Sequence, residues 1–453
     1  MPGVIPKKFK ISETTGIFAA WFLALVATVA AYYPGLVGPF MLDDFGSIAR
    51  LGDFNGVRDW DTFKAFVFGG TAGPTGRPLS LVTFLIDGNN WPTDPWPFKR
   101  TNLVIHLMNG MLVGLFVQRL LEALEFERSS AVWIALASAA FWMLHPFLVS
   151  TTLYAVQRMA QLSTLFMLAG LIVWLRGRTL VADEPRRAYI VMSLSLPIFT
   201  FLAMVSKENG ILLPVLAGTI EMTVFCAQRD RFGRLDKRWF GLFVVTPLAV
   251  ICAYLGEKLF HPNFLEIIPP RDFSIYERLL TQSRVIVDYL QNWFVPKLYT
   301  TGVFQDHFLK STGLFTPVTT VLSMGLVLAM LSFAIWARRR WPLFALAILF
   351  FFANHLLEST IVNLELYFEH RNYLAVSLFS VPLFAVLWRR TSRRSFALAC
   401  LGTMLLLGGF TRYSATVWQS EEGIVEASAL KAPTSARAQT QYAMLLFNAN
   451  QHD

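Results

Sequence analysis

Apolar residues in this chain fall in long blocks rather than at a short period. Eleven of them reach or approach the length of a bilayer span, over about 16–36, 102–120, 130–147, 153–175, 189–206, 210–227, 240–258, 316–336, 342–361, 372–388 and 395–411. A hydrocarbon core takes about 20 helical residues. In lipid every backbone polar group needs an internal partner, which favours helices over open strands. The pattern therefore predicts an all-α polytopic membrane protein, a bundle of about 11 transmembrane helices filling residues 1–411.

The polar punctuation predicts an orientation. Lys7, Lys8 and Lys10 precede the first block, and Arg119, Arg128, Arg176, Arg178, Arg186 and Arg187 flank later ones. Further clusters follow at 229–238, 338–340 and 389–394. They fall in every second loop, and short basic loops stay in the cytoplasm, so all of these clusters lie inside. The N-terminus is then cytoplasmic and the tail 412–453 external, periplasmic if the membrane is a bacterial inner membrane. Val29-Ala30-Ala31 also fits a signal-peptide cleavage site, but the first block is longer than a signal h-region and reads as a span.

Two long segments are external in this topology, 37–101 and 259–315. In the second, Arg278–Arg284 and Val285–Leu290 place apolar residues at helical spacing among charges, between Pro269-Pro270 and Pro296. That predicts an amphipathic helix on the outer surface, with a twelfth span as the competing reading. In the tail, residues 432–446 resemble the opening of a tetratricopeptide array. Such an array needs about three repeats to bury a core, so a docked helix or a frayed end is expected instead.

Composition agrees. Of 453 residues 55% are hydrophobic and 15% charged, with 40 Phe and 13 Trp, against about 25% charged in soluble domains. A disordered chain, a disulfide scaffold and an ordinary soluble enzyme are excluded. The net charge of +9 sits largely in the topogenic loops, so no nucleic-acid partner is expected. Cys226, Cys252 and Cys400 lie in or beside apolar blocks, which predicts neither a disulfide nor a metal cluster.

Charges at membrane depth or at helix mouths are costly, so each one points to function. Asp43 and Asp44 follow the first span among apolar neighbours. Adjacent carboxylates supply a general base or hold a divalent cation; a helix cap over 45–51 is the plain alternative. Arg77, in Thr75-Gly-Arg-Pro-Leu79, suits a phosphate or the acid pair. Asn102, His106 and Asn109 share one helix face and read as cavity residues or as a polar stripe between helices. His145, Gln157, Arg158, Lys207, Glu208, Glu358, Glu369, His370 and Arg371 all fall at predicted outer helix ends. Arg158 reads either as snorkelling to the headgroups or as facing a lipid phosphate in a cavity. Lys207, Glu208, Glu358, Glu369, His370 and Arg371 singly read as ordinary salt bridges at helix ends. Together they put the unusual charges on one face and predict an external active surface. Cations, an acid pair and surrounding apolar helices suit a sugar carried on polyprenyl phosphate. No glycine-rich nucleotide loop occurs in the cytoplasmic segments, in keeping with a lipid-linked donor.

The ordered set Asp43-Asp44, Arg77-Pro78-Leu79, Asn102–His106, Leu144-His145-Pro146, Tyr154–Arg158, Ser206-Lys207-Glu208, Arg278–Arg284, Glu358-Ser359, Phe368–Leu374 and Val417-Trp418 resembles the GT-C glycosyltransferases. It is most similar to the tetratricopeptide-containing protein O-mannosyltransferase group and to bacterial type IV pilin glycosyltransferases. The resemblance implies an inverting transferase with a polyprenyl-phosphate sugar donor, mannose or arabinofuranose, and a Ser or Thr acceptor on an exported or membrane-anchored protein, with pilin as a candidate. It implies an Asp base at Asp43 or Asp44, Asp43 slightly preferred. Arg158, Lys207 and Arg371 would bind the donor phosphate. Arg77, His106, His145, Gln157, Glu208, Glu358, Glu369 and His370 would contact substrate. No cofactor is required, and a divalent cation on Asp43 and Asp44 is optional. The missing repeat array is a departure that bears on acceptor recognition. Competing functions are a transferase acting on lipid or lipopolysaccharide sugars, a transporter or flippase of lipid-linked sugars, and a non-catalytic assembly protein.

Overall fold

Each of the eleven apolar blocks contains helix. The structure is a computed structural model and describes residues 11–260, 264–267, 271–299 and 303–450. Lys7, Lys8, Lys10 and Pro269-Pro270 lie outside these residues. The described chain is helical throughout, with one isolated bridge between Gly313 and Thr316 and no strand.

Seven helices are long and apolar enough to cross a membrane: Glu13–Val37, Pro95–Ala123, Ala155–Thr179, Pro185–Met204, Lys237–Leu259, Thr319–Ala337 and Arg393–Val417. Counting two bent pairs brings the number to nine. These pairs are Arg128–Met143 with Pro146–Leu153, bent by 57°, and Glu369–Ala375 with Ser380–Arg390, bent by 48°. The two remaining blocks form shorter helices. Leu213–Ile220 runs into a wider turn at Glu221–Phe225, and Pro342–Asn354 stops well before 361. Such helices mark a multi-pass membrane protein.

Charge sorts the bundle into two ends. Arg158 and Arg176 sit near opposite ends of one helix, about 27 Å apart at 1.5 Å per residue. At the Arg176 end, Arg178 pairs with Glu221 at 2.6 Å and donates to the carbonyls of Phe232 and Gly233 at 3.1 and 2.9 Å. Arg119, Arg176 and Arg231 line one hollow there. The Arg389 guanidinium lies 4.4 Å from the Phe126 ring. Thus several of the basic clusters gather at this end, while the chemically unusual residues meet at the other.

Between the first span and Pro95, the chain folds into short helices over the second end. Asp59 caps the helix Trp60–Phe68 in a reciprocal box with Thr62, and Asp94 caps the helix that begins at Pro95. Its Asp-Pro start is the expected signal for a helix N-terminus. Gly38 seats this region against the chain after the last span. A Cβ there would stand 1.8 Å from the Trp418 carbonyl oxygen, so no side chain fits.

The helix Ile275–Phe294 begins with a Ser274–Glu277 capping box. Near its start, Arg278 donates to the carbonyls of Glu358 and Thr360 at 2.7 and 2.9 Å. At its end, Trp293 stacks on His145 at 4.0 Å. Both contacts belong to the same end of the bundle, so the helix lies across that end and is not a twelfth span. It is not laid on the surface, however: Arg278, Gln282, Tyr289 and Trp293 are buried. The helix Pro342–Asn354 ends early, and the carbonyls at 358–366 take donors from Arg278 and Gln282 of the helix Ile275–Phe294 instead.

The tail is docked rather than frayed. Helices Glu421–Lys431 and Ala436–Asn450 pack on each other. Ile424 and Val425 are buried. Ser435 Oγ donates to Asp306 at 2.6 Å, and Arg437 reaches Glu365 at 3.3 Å.

Candidate functional site

Asp43 and Asp44 begin a five-residue helix, Asp43–Ser47, whose short length lets neighbouring elements fix each carboxylate separately. Asp44 is fully buried and accepts the amides of Met41 at 2.9 Å and Val156 at 2.7 Å, one on each oxygen. Burial pushes its carboxyl up to about 7, against the opposing pull of these two amides and of Lys99. Lys99 is itself buried, and its Nζ has no hydrogen-bond partner among the described residues. Asp43 instead lines an open cavity of about 460 Å³. Its amide donates to the Tyr154 hydroxyl at 2.6 Å. Although Asp43 has surface toward the cavity, most of its surroundings are protein. The resulting desolvation raises its carboxyl above the usual range, and Tyr154 partly offsets this.

Arg77, Gln157, Lys207, Glu208, Glu358, His370 and Arg371 line the same cavity. They come from five separate stretches of chain. Arg77 grips Glu208 with Nη2 at 2.8 Å and Nε at 3.0 Å. Thr75 adds a hydroxyl bond to Glu208 at 2.9 Å. Burial alone would raise the Glu208 carboxyl, but Arg77 and these bonds hold it below its usual range. The loop passes so close that a Cβ on Gly73, at φ +74°, would stand 2.3 Å from Glu208 Oε1.

Lys207 pairs with Glu358 at 2.7 Å, and both side chains are nearly inaccessible. Burial would raise the Glu358 carboxyl, yet Lys207, Arg371 and His370 bring it down to about 2. Burial lowers the Lys207 ammonium from its usual value, and Glu358 opposes that. Arg371 donates to the carbonyls of Leu366 at 3.0 Å and Glu365 at 2.6 Å, while its Nε has no partner among the described residues. The His370 ring stacks on Phe368 at 4.9 Å.

The remaining sequence candidates lie elsewhere. Arg158 is buried with four of its five N–H donors engaged: it contacts Asp87 at 2.5 Å, Asn102 at 2.9 Å, and the carbonyls of Thr83 and Phe98 at 2.8 and 2.9 Å. A guanidinium so buried and engaged has no exposed face for a donor phosphate. His106 bridges the Tyr373 hydroxyl and the Met143 carbonyl at 2.8 and 3.0 Å. Asn102 and Asn109 bond backbone carbonyls of the neighbouring helix, so this face is a polar stripe between helices. His145 is buried against Trp293, and Glu369 is buried behind the cavity, accepting from Ser150 at 2.5 Å. None of these four proposed contacts, Arg158, His106, His145 and Glu369, is at the cavity wall.

A divalent cation shared by Asp43 and Asp44 does not fit this donor set. Asp44 is fully buried away from the cavity that Asp43 lines, each of its oxygens accepting an amide, and among the described residues no group of three His, Cys, Asp or Glu residues is placed to hold a metal.

Three participants were not legible beforehand. Lys99 lies four residues after Pro95 in a helix whose apolar block begins only at 102. Arg271 and Glu365 pair at the cavity wall, yet they are 94 residues apart and neither stands in a recognisable motif. Comparison of the chain with protein-family models, with curated proteins and with solved structures gave no match.

Proposed function

We propose that this protein is an integral-membrane glycosyltransferase of the GT-C type that moves a sugar from a polyprenyl-phosphate donor to a Ser or Thr hydroxyl of an exported protein. The observation that carries the reading is the cavity itself. A carboxylate, Asp43, shares one chamber with Lys207 and Arg371, at the end of the bundle opposite the basic hollow. If that basic end is cytoplasmic, the chamber opens on the periplasmic side of a bacterial inner membrane. An exported acceptor such as a pilin, and a donor carrying mannose or arabinofuranose, meet there.

Asp43 takes the proton from the acceptor hydroxyl as its oxygen bonds to the anomeric carbon. The bond from that carbon to the phosphate oxygen breaks, its electron pair stays on the lipid phosphate, and the configuration inverts. Lys207 and Arg371 stabilise the growing phosphate charge. Arg77 and Glu208 hold the loop that walls the chamber. Arg158 drops out of the donor site and instead braces the first loop against Asp87.

The test uses purified protein in detergent with a polyprenyl-phosphate sugar and an acceptor peptide. A covalent glycopeptide lost in Asp43→Asn supports the reading. Transport of the lipid without product would assign it to a flippase. Intact-mass comparison of exported proteins and envelope lipids, with and without the gene, names the acceptor.

A further inference from the structure

A second cavity, of about 500 Å³, lies behind the wall of the first. The segment Leu364–Phe368 separates them: Leu364, Glu365 and Phe368 line the first cavity and Tyr367 the second. The far walls are one face of the helix Ile275–Phe294, carrying Arg284, Asp288 and Asn292 one turn apart, then Lys297, Tyr299 and His307–Leu309, and Lys431 of the docked tail.

Three features of this chamber ask for one kind of ligand. Arg284, Lys297 and Lys431 line the chamber with a single carboxylate, Asp288, which already accepts from the Tyr367 hydroxyl at 2.7 Å and Asn292 Nδ2 at 2.8 Å. Arg284 also donates to the Leu309 carbonyl at 2.7 Å and lies 5.2 Å from the Phe308 ring. Neighbouring Asp306 is engaged by the tail, through Ser435 Oγ and the Arg437 amide. The chamber therefore has surplus positive charge. Second, Phe308 and Tyr367 stack at 5.6 Å and 29°, which offers an aromatic wall. Third, Asn292 Oδ1 and His307 Nδ1 are buried without a hydrogen-bond partner among the described residues. Buried polar groups normally find partners, so an orphaned pair in a cavity wall points to a missing one. Asn292 Oδ1 accepts only, so its partner must donate a hydrogen bond. Inorganic phosphate alone answers the cations but offers little to a carbonyl oxygen or to an aromatic face.

We propose that this second cavity binds an anionic sugar: a hydroxylated ring bearing a carboxylate or phosphate, its anion between Lys297, Lys431 and Arg284, its ring on Phe308, and its hydroxyl on Asn292. The volume is within the usual range for a small-molecule site. The inference does not rest on the glycosyltransferase reading, since it needs no transfer.

The test is saturation-transfer NMR and calorimetric titration of the full-length detergent-solubilised protein with glucuronate, glucose 6-phosphate, glucose and inorganic phosphate. Glucuronate or glucose 6-phosphate should bind at least tenfold more tightly than glucose or phosphate. The first two distinguish a carboxylate from a phosphate as the anion. Lys297→Gln with Lys431→Gln, both exposed positions, should weaken that binding at least tenfold with an unchanged melting temperature. Phe308→Ala should weaken it while sparing any residual phosphate binding. Equal affinity for phosphate and the anionic sugars, or undiminished binding in the double lysine variant, would overturn the proposal, as would no binding by either anionic sugar.

Discussion

Asp43 and Asp44 are adjacent in the chain but belong to different parts of the protein. Asp43 opens into the chamber that Lys207 and Arg371 also line, whereas Asp44 is sealed beneath it by the amides of Met41 and Val156. A single pair of carboxylates thus divides into a candidate base and an anchor that holds the base's backbone in place. Substitutions at the two positions should separate cleanly. Asp43→Asn is expected to abolish glycosyl transfer with no loss of folded protein. Asp44→Ala removes an acceptor from two buried amides and should cost about 2 kcal/mol or more. Transfer assays alongside thermal melting in detergent check both. Transfer retained in the double alanine variant would remove the base assignment.

The Asp43 carboxyl is raised above its ordinary 3.8 by its surroundings. A base must be ionised, so kcat/KM should fall as pH drops through a value above 3.8. Asp43→Glu, if active, should shift that acid limb, and a limb that stays fixed would assign it to another group.

Lys207 and Glu358 form a buried ion pair. Removing one partner leaves the other charge stranded, which costs about 3–5 kcal/mol. Lys207→Met is expected to destabilise by that order and also to lower turnover. The sign of the pH effect follows from the Glu358 carboxyl, at about 2 when folded against 4.5 ordinarily. Its stabilisation is fully present above 4.5 and is lost as pH falls toward 2. Asp44, raised to about 7, contributes with the opposite sign, most favourably below 3.8. Melting curves of the wild type and of Glu358→Gln between pH 6 and 3 isolate the Glu358 contribution, and the difference between them should shrink as pH falls.

Arg158 discriminates structure from donor binding. With four of its five N–H donors committed to Asp87, Asn102 and two carbonyls, Arg158→Met should lower stability by several kcal/mol. The KM for the lipid donor should be unchanged in the folded fraction. Arg371→Met should do the reverse, raising KM or lowering kcat with a smaller change in melting temperature.

Gly38→Ala places a methyl group against the Trp418 carbonyl. The tail helices should loosen from the first loop, and limited proteolysis should cut between 418 and 436 faster than in the wild type.

The helical, multi-pass character of the protein was written in the apolar blocks, because lipid leaves the backbone few other forms. The same logic overstated regularity. The block at 342–361 is continuous in sequence, but its helix stops at Asn354, and the carbonyls of Glu358 and Thr360 beyond it find Arg278. That partner lies 80 residues upstream and leaves no local signal. Several of the charged residues at helix mouths meet at one cavity at one end of the molecule. They did not separate Lys207 and Arg371, at the cavity, from Arg158, His106, His145 and Glu369, behind it. Cost of burial alone marks all of these residues as unusual, whether a neighbour satisfies them or not.

The sequence by itself determined the all-helical, multi-pass character and the set of costly polar groups, since these depend on local hydropathy and charge. Tertiary structure decided which polar group faces the chamber and which is satisfied by a distant carbonyl, carboxylate or amide. It alone brought Lys99 toward Asp44 and Arg271 to Glu365, because such pairings depend on how helices far apart in the chain pack at one end of a bundle.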